Sequence, residues 1–239
     1  MAATLPPRNL SPGTVNRLEF HVDGVARAAP IENLVIAGWT GRDLDIVDEH
    51  IAELAAVGVR RPSSVPCFYR LGANLLTHAS AIDVVGSTSS GEVEVVLVSL
   101  ADGLHVAVGS DHTDRKVEAY SVTASKQMCP KPIGRELWAY RDVERHWDDL
   151  VLRSWITCQG GRELYQEGAL TNMLAAPDLI ERYLGRRGAL PAGTAMYCGT
   201  LTAIGPIRGG DGFEIELEDP RLKRRLQHAY VARCLDIVD

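Results

Sequence analysis

Residues 91–98 read GEVEVVLV, placing Glu92 and Glu94 one residue apart in a run otherwise made of valine and leucine. Such a run is the composition of a buried strand, and in a strand residues i and i+2 point to the same face. Two carboxylates would then stand side by side in the interior. Each loses hydration and repels the other, which costs several kcal/mol per ion unless positive charge lies between them. Three environments relieve that cost: a divalent cation, a pair of arginines, or a strand face open to water. Hard divalent cations take several oxygen ligands, usually carboxylates and water, so the cation reading needs a third acidic side chain. Asp111, at the end of the next apolar run in VAVGSDHTDRK, is the candidate.

The rest of the chain narrows the chemistry. Five cysteines, an odd number with no CxxC pair, argue against a disulfide framework or a zinc site and for reduced thiols in a cytoplasm. The net charge of −6 and the lack of a basic tract make nucleic acid an unexpected partner. No apolar stretch approaches the about 20 residues that span a bilayer, and the N-terminus lacks the pattern of a signal peptide. The tryptophans read as packing residues, and His21, His78, His105, His146 and His228 have no assignable partner in the sequence. His112 would face away from Asp111 in an extended chain.

Strands dominate the elements that must hold these residues. RLEFHVDGV (17–25) alternates into a turn at Asp23-Gly24, and NLVIAGW (33–39) is a short buried strand. Leu44, Val47, Ile51 and Leu54 recur at helical spacing, with Thr40 or Asp43 able to cap the start and Gly58 suited to the end. EVEVVLVSL and LHVAVGS form a hairpin joined by Ala101-Asp102-Gly103. VERHWDDLVL (143–152) fits either element. PDLIERYL (177–184) is a short helix with Gly185 after it, and LRSWITC, TAMYCGT, FEIELED and LQHAYVARCLDIV read mainly as strands. The expected class is a β-rich α+β fold with a mixed sheet and few short helices. No glycine-rich nucleotide-binding turn is present.

Six segments, in order, resemble the fumarylacetoacetate hydrolase family: PSSVPCFYRLGANLL, GEVEVVLV, GSDHTDRK, SKQMCPKPIG, LRSWITCQGGRELYQEGALTNMLAAPDLIERYL and LPAGTAMYCGTLTAIGPI. The resemblance spans residues 33 to 235 and implies a β-roll, with residues 1–32 as an N-terminal arm and first strands and 33–239 as the catalytic domain. It implies a homodimer that binds Mg²⁺ or Mn²⁺ through Glu92, Glu94 and Asp111. It places Lys126 on the family's lysine, Arg115 on its arginine and Thr200 on its threonine. Gln166 falls among pocket residues, and Arg70 is carried with them as a substrate ligand. His50 and Glu53 match the family's spaced His–Glu pair. On a helix such a pair is adjacent, so the carboxylate can orient the imidazole.

The chain departs from the family's pattern in several places. Trp39-Thr40 replaces an Asn-Tyr pair, Ser110 an asparagine, Lys116 an aspartate and Leu201 a proline. These changes point to a divergent branch. The implied activity is hydrolysis of a carbon–carbon bond in a small acylpyruvate-like 2-oxo acid. Decarboxylation, dehydration or tautomerisation of a 2-oxo acid, and a non-catalytic binding role, are the alternatives.

Overall fold

The computed structural model describes residues 15–56 and 61–238; within the first helix the side chains of His50, Glu53, Leu54 and Ala56 lie outside the described residues. An eight-stranded mixed sheet runs in the order Val25–Ile31, Asn16–Val22, Glu136–Ala139, Gly103–Ser110, Val93–Leu100, Thr194–Thr200, Asn33–Gly38, Cys67–Leu71. A second sheet of five strands runs Gly161–Ala169, Val151–Cys158, Gly212–Asp219, Arg224–Leu235, Ala81–Val85. The β-rich mixed architecture expected from the sequence is the one observed.

The hairpin Val93–Leu100/Gly103–Ser110 occupies the middle of the larger sheet and is buried on both faces. Val93, Val95 and Leu97 pack with Leu152, Ile215 and Leu217 of the smaller sheet. Val96 and Val98 pack on the other side with Phe20, Ile36, Leu71 and Tyr197. Central strands covered on both faces need apolar residues at every position, so the two glutamates stand out in the sequence. The hairpin loop is one residue shorter than expected: Leu100 pairs with Gly103, whose φ of +134° suits glycine.

Local signals agree with the observed elements. Asp23 and Gly24 both take positive φ, as a two-residue hairpin turn requires. The first helix spans Leu44–Ala56, with the Asp43 carboxylate accepting from the backbone N–H of Asp45 at 3.0 Å and Ile46 at 3.4 Å. Asp43, not Thr40, is therefore the cap, and Gly58 lies outside the described residues. Val47 and Ile51 are buried, but Leu44 is exposed because it sits in the first turn beyond the packed stripe. The ambiguous stretch resolves into one turn of helix, Tyr140–Val143, and a 3₁₀ segment, Glu144–Asp149, which tuck Val143 and Trp147 into the core before the strand at Val151. The helix Ala176–Leu184 ends at Gly185 in the left-handed region, as its sequence predicts. No helix among the described residues is long and apolar enough to cross a membrane.

Candidate metal centre

Hairpin register brings the acidic residues together. Val93 pairs with Ser110, and one step further the Asp111 N–H donates to the Glu92 carbonyl at 2.9 Å. Carboxylate oxygens of Glu92, Glu94 and Asp111 all lie within 4.8 Å of one another. Asp111 is 0% exposed and Glu94 2%, whereas Glu92 stands at the partly open edge.

Cations surround this cluster unevenly. The Arg115 guanidinium meets Glu92 at 3.1 Å and Glu118 at 2.8 Å. Lys126, on the helix Val122–Met128 that the Ser121 hydroxyl caps, donates to Asp111 Oδ2 and lies 3.5 Å from Glu92. A second lysine, Lys131, reaches Asp111 Oδ1 at 3.0 Å. Among the described residues no ammonium or guanidinium lies within salt-bridge distance of Glu94; one of its oxygens accepts the Gly199 N–H at 2.7 Å.

The electrostatics follow from that arrangement. Burial alone would raise the Asp111 carboxyl, but the Lys126 and Lys131 ammoniums outweigh it and hold it at about 2. Burial works against the charge on Lys126, yet Asp111 and Glu92 raise its pKa above the ordinary range. Glu94 goes the other way: burial, with Asp111 beside it, pushes its carboxyl well above the usual carboxylate range. Three hard oxygen donors within one small volume, one of them a buried carboxylate with no cation at salt-bridge distance among the described residues, fit a divalent cation of the Mg²⁺ or Mn²⁺ type.

A family model described as a protein of unknown function, DUF2848, matches residues 37–230. The chain belongs to this family. No curated protein matches it. Among solved structures, a fumarylpyruvate hydrolase from Pseudomonas aeruginosa in complex with Mn²⁺ and pyruvate superposes with a TM-score of 0.65 at 15% identity, covering 95% of this chain and all (100%) of that one. A protein assigned to the fumarylacetoacetate hydrolase family from Yersinia pestis gives 0.63 at 19% identity, covering 90% and 100% of the two chains. A 2-hydroxyhepta-2,4-diene-1,7-dioate isomerase from Mycobacterium marinum gives 0.59 at 17%, covering 87% and 78%. The chain thus has the fold of these fumarylacetoacetate hydrolase family structures.

Of the residues singled out in the sequence, Glu92, Glu94, Asp111, Arg115 and Lys126 converge in this DUF2848 chain. Gln166 and Thr200 lie just behind them with different partners from those expected. The Gln166 amide accepts from Val93 N and Ser154 Oγ, both at 3.0 Å, and donates to Thr200 Oγ1 at 2.8 Å and to the Leu201 carbonyl. The Thr200 hydroxyl donates to the Val93 carbonyl at 2.9 Å. Their polar hydrogens are committed to bracing the Glu94 strand against its neighbour, so neither is poised to donate to a substrate. Arg70 is not brought to the cluster: it is exposed and donates to Asn33. Its strand neighbour Tyr69 faces inward, with its ring 6.0 Å from Lys126 Nζ and its hydroxyl 3.3 Å from Trp39 Nε1. His50 and Glu53 belong to the first helix, and their side chains lie outside the described residues.

Sequence reasoning missed Lys131, Tyr69 and the Gly199 amide. Lys131 lies five residues after Lys126 in SKQMCPKPIG, where a lysine between two prolines looks like a surface loop residue. Gly199 belongs to the GT pair, but nothing local says that its N–H faces a glutamate. Its φ is +100°, and a Cβ there would meet Thr40 Oγ1 at 1.9 Å. Gly199→Ala is therefore expected to destabilise the protein by roughly 2–4 kcal/mol through strain and clash. It should also weaken metal binding by displacing the Glu94 donor; equilibrium unfolding and calorimetry measure the two effects.

Behind Asp111, His112 is buried between the Tyr230 hydroxyl at 3.0 Å and the Ser89 hydroxyl at 2.9 Å. Burial, then the Lys131 and Arg115 charges, push its imidazole down to about 3. Between that value and its ordinary pKa near 6.5, the unfolded chain takes up a proton that the folded chain refuses. His112 thus contributes stability that is present above about pH 6.5 and lost as pH falls toward 3. His112→Asn should flatten the fall in melting temperature between about pH 6.5 and 4 relative to wild type. Equal slopes in the two proteins would show that His112 is not the group responsible.

Proposed function

We propose that this protein is a divalent-metal-dependent enzyme acting on a small 2-oxo acid, with hydrolytic cleavage of a carbon–carbon bond in an acylpyruvate-like substrate as the leading reaction. The observation that carries the reading is the acidic triad Glu92, Glu94 and Asp111, two of them buried, with Lys126 beside it. The Mn²⁺ and pyruvate in the Pseudomonas aeruginosa structure support the choice of cation and of a 2-oxo acid. A bound divalent cation would supply Lewis-acid stabilisation of charge developing on the 2-oxo oxygen.

The chain's own residues have separate tasks in this reading. Glu92, Glu94 and Asp111 hold the cation. Lys126, kept charged by Asp111 and Glu92, offsets negative charge on the departing three-carbon enolate. His50, oriented by Glu53, takes a proton from the attacking water. Water adds to the distal acyl carbon, the bond to the methylene carbon breaks, that carbon takes up the proton His50 removed from water, and the products are a carboxylate and the shortened 2-oxo acid. Tyr69, which accepts a hydrogen bond from the Trp39 indole, places its ring beside Lys126. A homodimer in the cytoplasm is the expected state of the enzyme.

Isomerisation or decarboxylation of a 2-oxo acid is the second reading, supported by the Mycobacterium marinum isomerase among the similar structures. These reactions use the same charge stabilisation and need no activated water. A panel of acylpyruvates and 2-oxo acids, assayed with and without Mg²⁺ or Mn²⁺, separates the readings. Metal-dependent release of pyruvate from an acylpyruvate is expected; no turnover across the panel contradicts an enzymatic role. Lys126→Met should lower turnover of an active substrate by about two to three orders of magnitude, as for loss of one oxyanion donor. Steady-state kinetics at saturating metal gives that result, and near-normal turnover would remove Lys126 from the chemistry.

A further inference from the structure

We infer that Lys131 is a positioning residue that makes cation and carboxylate anion bind to this centre together; the inference rests on the reading of Glu92, Glu94 and Asp111 as cation ligands. Lys131 lies in a two-residue strand, Lys131–Pro132, that pairs in parallel with Leu76–Thr77. Its side chain is 0% exposed, and the ammonium is held by Asp111 Oδ1 at 3.0 Å and by the His112 carbonyl at 2.6 Å. Tyr197 fixes the adjoining backbone by donating to the Pro132 carbonyl at 2.9 Å. A lysine so enclosed cannot swing to solvent, so its ammonium stays against Asp111.

That charge alters the balance around the triad. Both Asp111 oxygens face an ammonium, and Glu92 faces Arg115 and Lys126. Counting Glu118, which shares Arg115, four carboxylates and three cationic side chains sum to one formal negative charge once Glu94 has given up its proton to bind a cation. A divalent cation turns this into one buried positive charge, which is unfavourable alone. A monoanionic carboxylate bound beside it restores neutrality. Each ligand therefore creates the charge that the other needs, and the coupling is reciprocal. The ligand class is a small carboxylate anion; a neutral ketone gains nothing from this balance.

Calorimetric titration of Mn²⁺ into the full-length protein, with and without pyruvate and with acetone as the neutral comparator, tests the inference. In wild type pyruvate should tighten Mn²⁺ binding by about tenfold or more, and acetone should not. Part of that gain would come from chelation, so the decisive arm is Lys131→Met. Removing the charge should tighten Mn²⁺ binding without pyruvate by roughly tenfold, because a unit charge at this range outweighs the small entropy of a freed aspartate. The enhancement by pyruvate should shrink correspondingly. Unchanged Mn²⁺ affinity and unchanged enhancement in the variant overturn the role of Lys131 while leaving the triad intact. A wild type that binds no Mn²⁺ overturns the triad and the inference with it.

Lys131→Gln, which still offers a hydrogen bond to Asp111, is read in the same way. If neither single variant folds but Lys131→Met/Asp111→Asn does, the ammonium is held for its charge on Asp111, in support of the inference. If the double variant also fails to fold, Lys131 is a packing element and the inference is wrong.

Discussion

Asp111→Asn lowers the stability of the metal-free protein by about 3–5 kcal/mol, the cost of leaving buried charge without its partner. Lys126 and Lys131 share this one carboxylate, and among the described residues the Lys131 ammonium has otherwise only the His112 carbonyl. Glu94→Gln acts in the opposite direction. Glu94 is buried beside Asp111 with no cationic partner among the described residues, so its ionised form opposes folding. The amide oxygen can still accept the Gly199 N–H. Metal-free Glu94→Gln should therefore melt about 2–4 °C above wild type, equivalent to roughly 1 kcal/mol for a chain of this size.

The pH dependence sharpens the contrast between the two carboxylates. Folded Glu94 keeps a proton that the unfolded chain releases, so this group's contribution is lost as pH rises past the ordinary carboxylate range. The glutamine variant lacks that slope. Equal destabilisation by both substitutions would mean that the two carboxylates are held alike. Thermal melts in chelator across pH 5 to 8 provide the comparison.

His50→Ala should leave the fold and metal affinity nearly untouched while hydrolysis falls by about 10²–10⁴-fold, the usual share of a general base. The first helix, Leu44–Ala56, follows the Trp39-Thr40-Gly41 loop, and Val47 and Ile51 anchor it to the body of the protein. Glu53→Gln should cost less, because the imidazole remains. Isomerisation or decarboxylation, which activates no water, should survive both changes. Unimpaired hydrolysis in His50→Ala moves the assignment to those reactions.

The sequence made the acidic triad legible because strand periodicity and a short hairpin are local rules. Period-two alternation puts Glu92 and Glu94 on one face, and a hairpin two residues long at its loop returns the chain so that Asp111 sits beside Glu92. The helix with Gly185 after it and the Asp23-Gly24 turn were legible for the same reason. Lys131 was not, because its burial is decided by a parallel pairing with residues 76–77, far away in the chain. Tyr69 and Arg70 were hard to separate for a related reason. They are neighbours on one strand, and only the register against Asn33–Gly38 decides which faces the site. Gln166 and Thr200 look like ligand groups in a sequence, yet the structure spends their hydrogen bonds on joining strands.

The melting temperature of the wild-type protein in chelator and in millimolar Mn²⁺ or Mg²⁺ tests the central claim most directly. A cation that binds only the folded triad at about a hundred times its Kd adds roughly 2.7 kcal/mol of stability, or about 5–10 °C here. The rise should vanish in Glu94→Gln. A wild-type melting temperature that does not move between chelator and either metal contradicts the assignment of Glu92, Glu94 and Asp111 as a divalent-cation site.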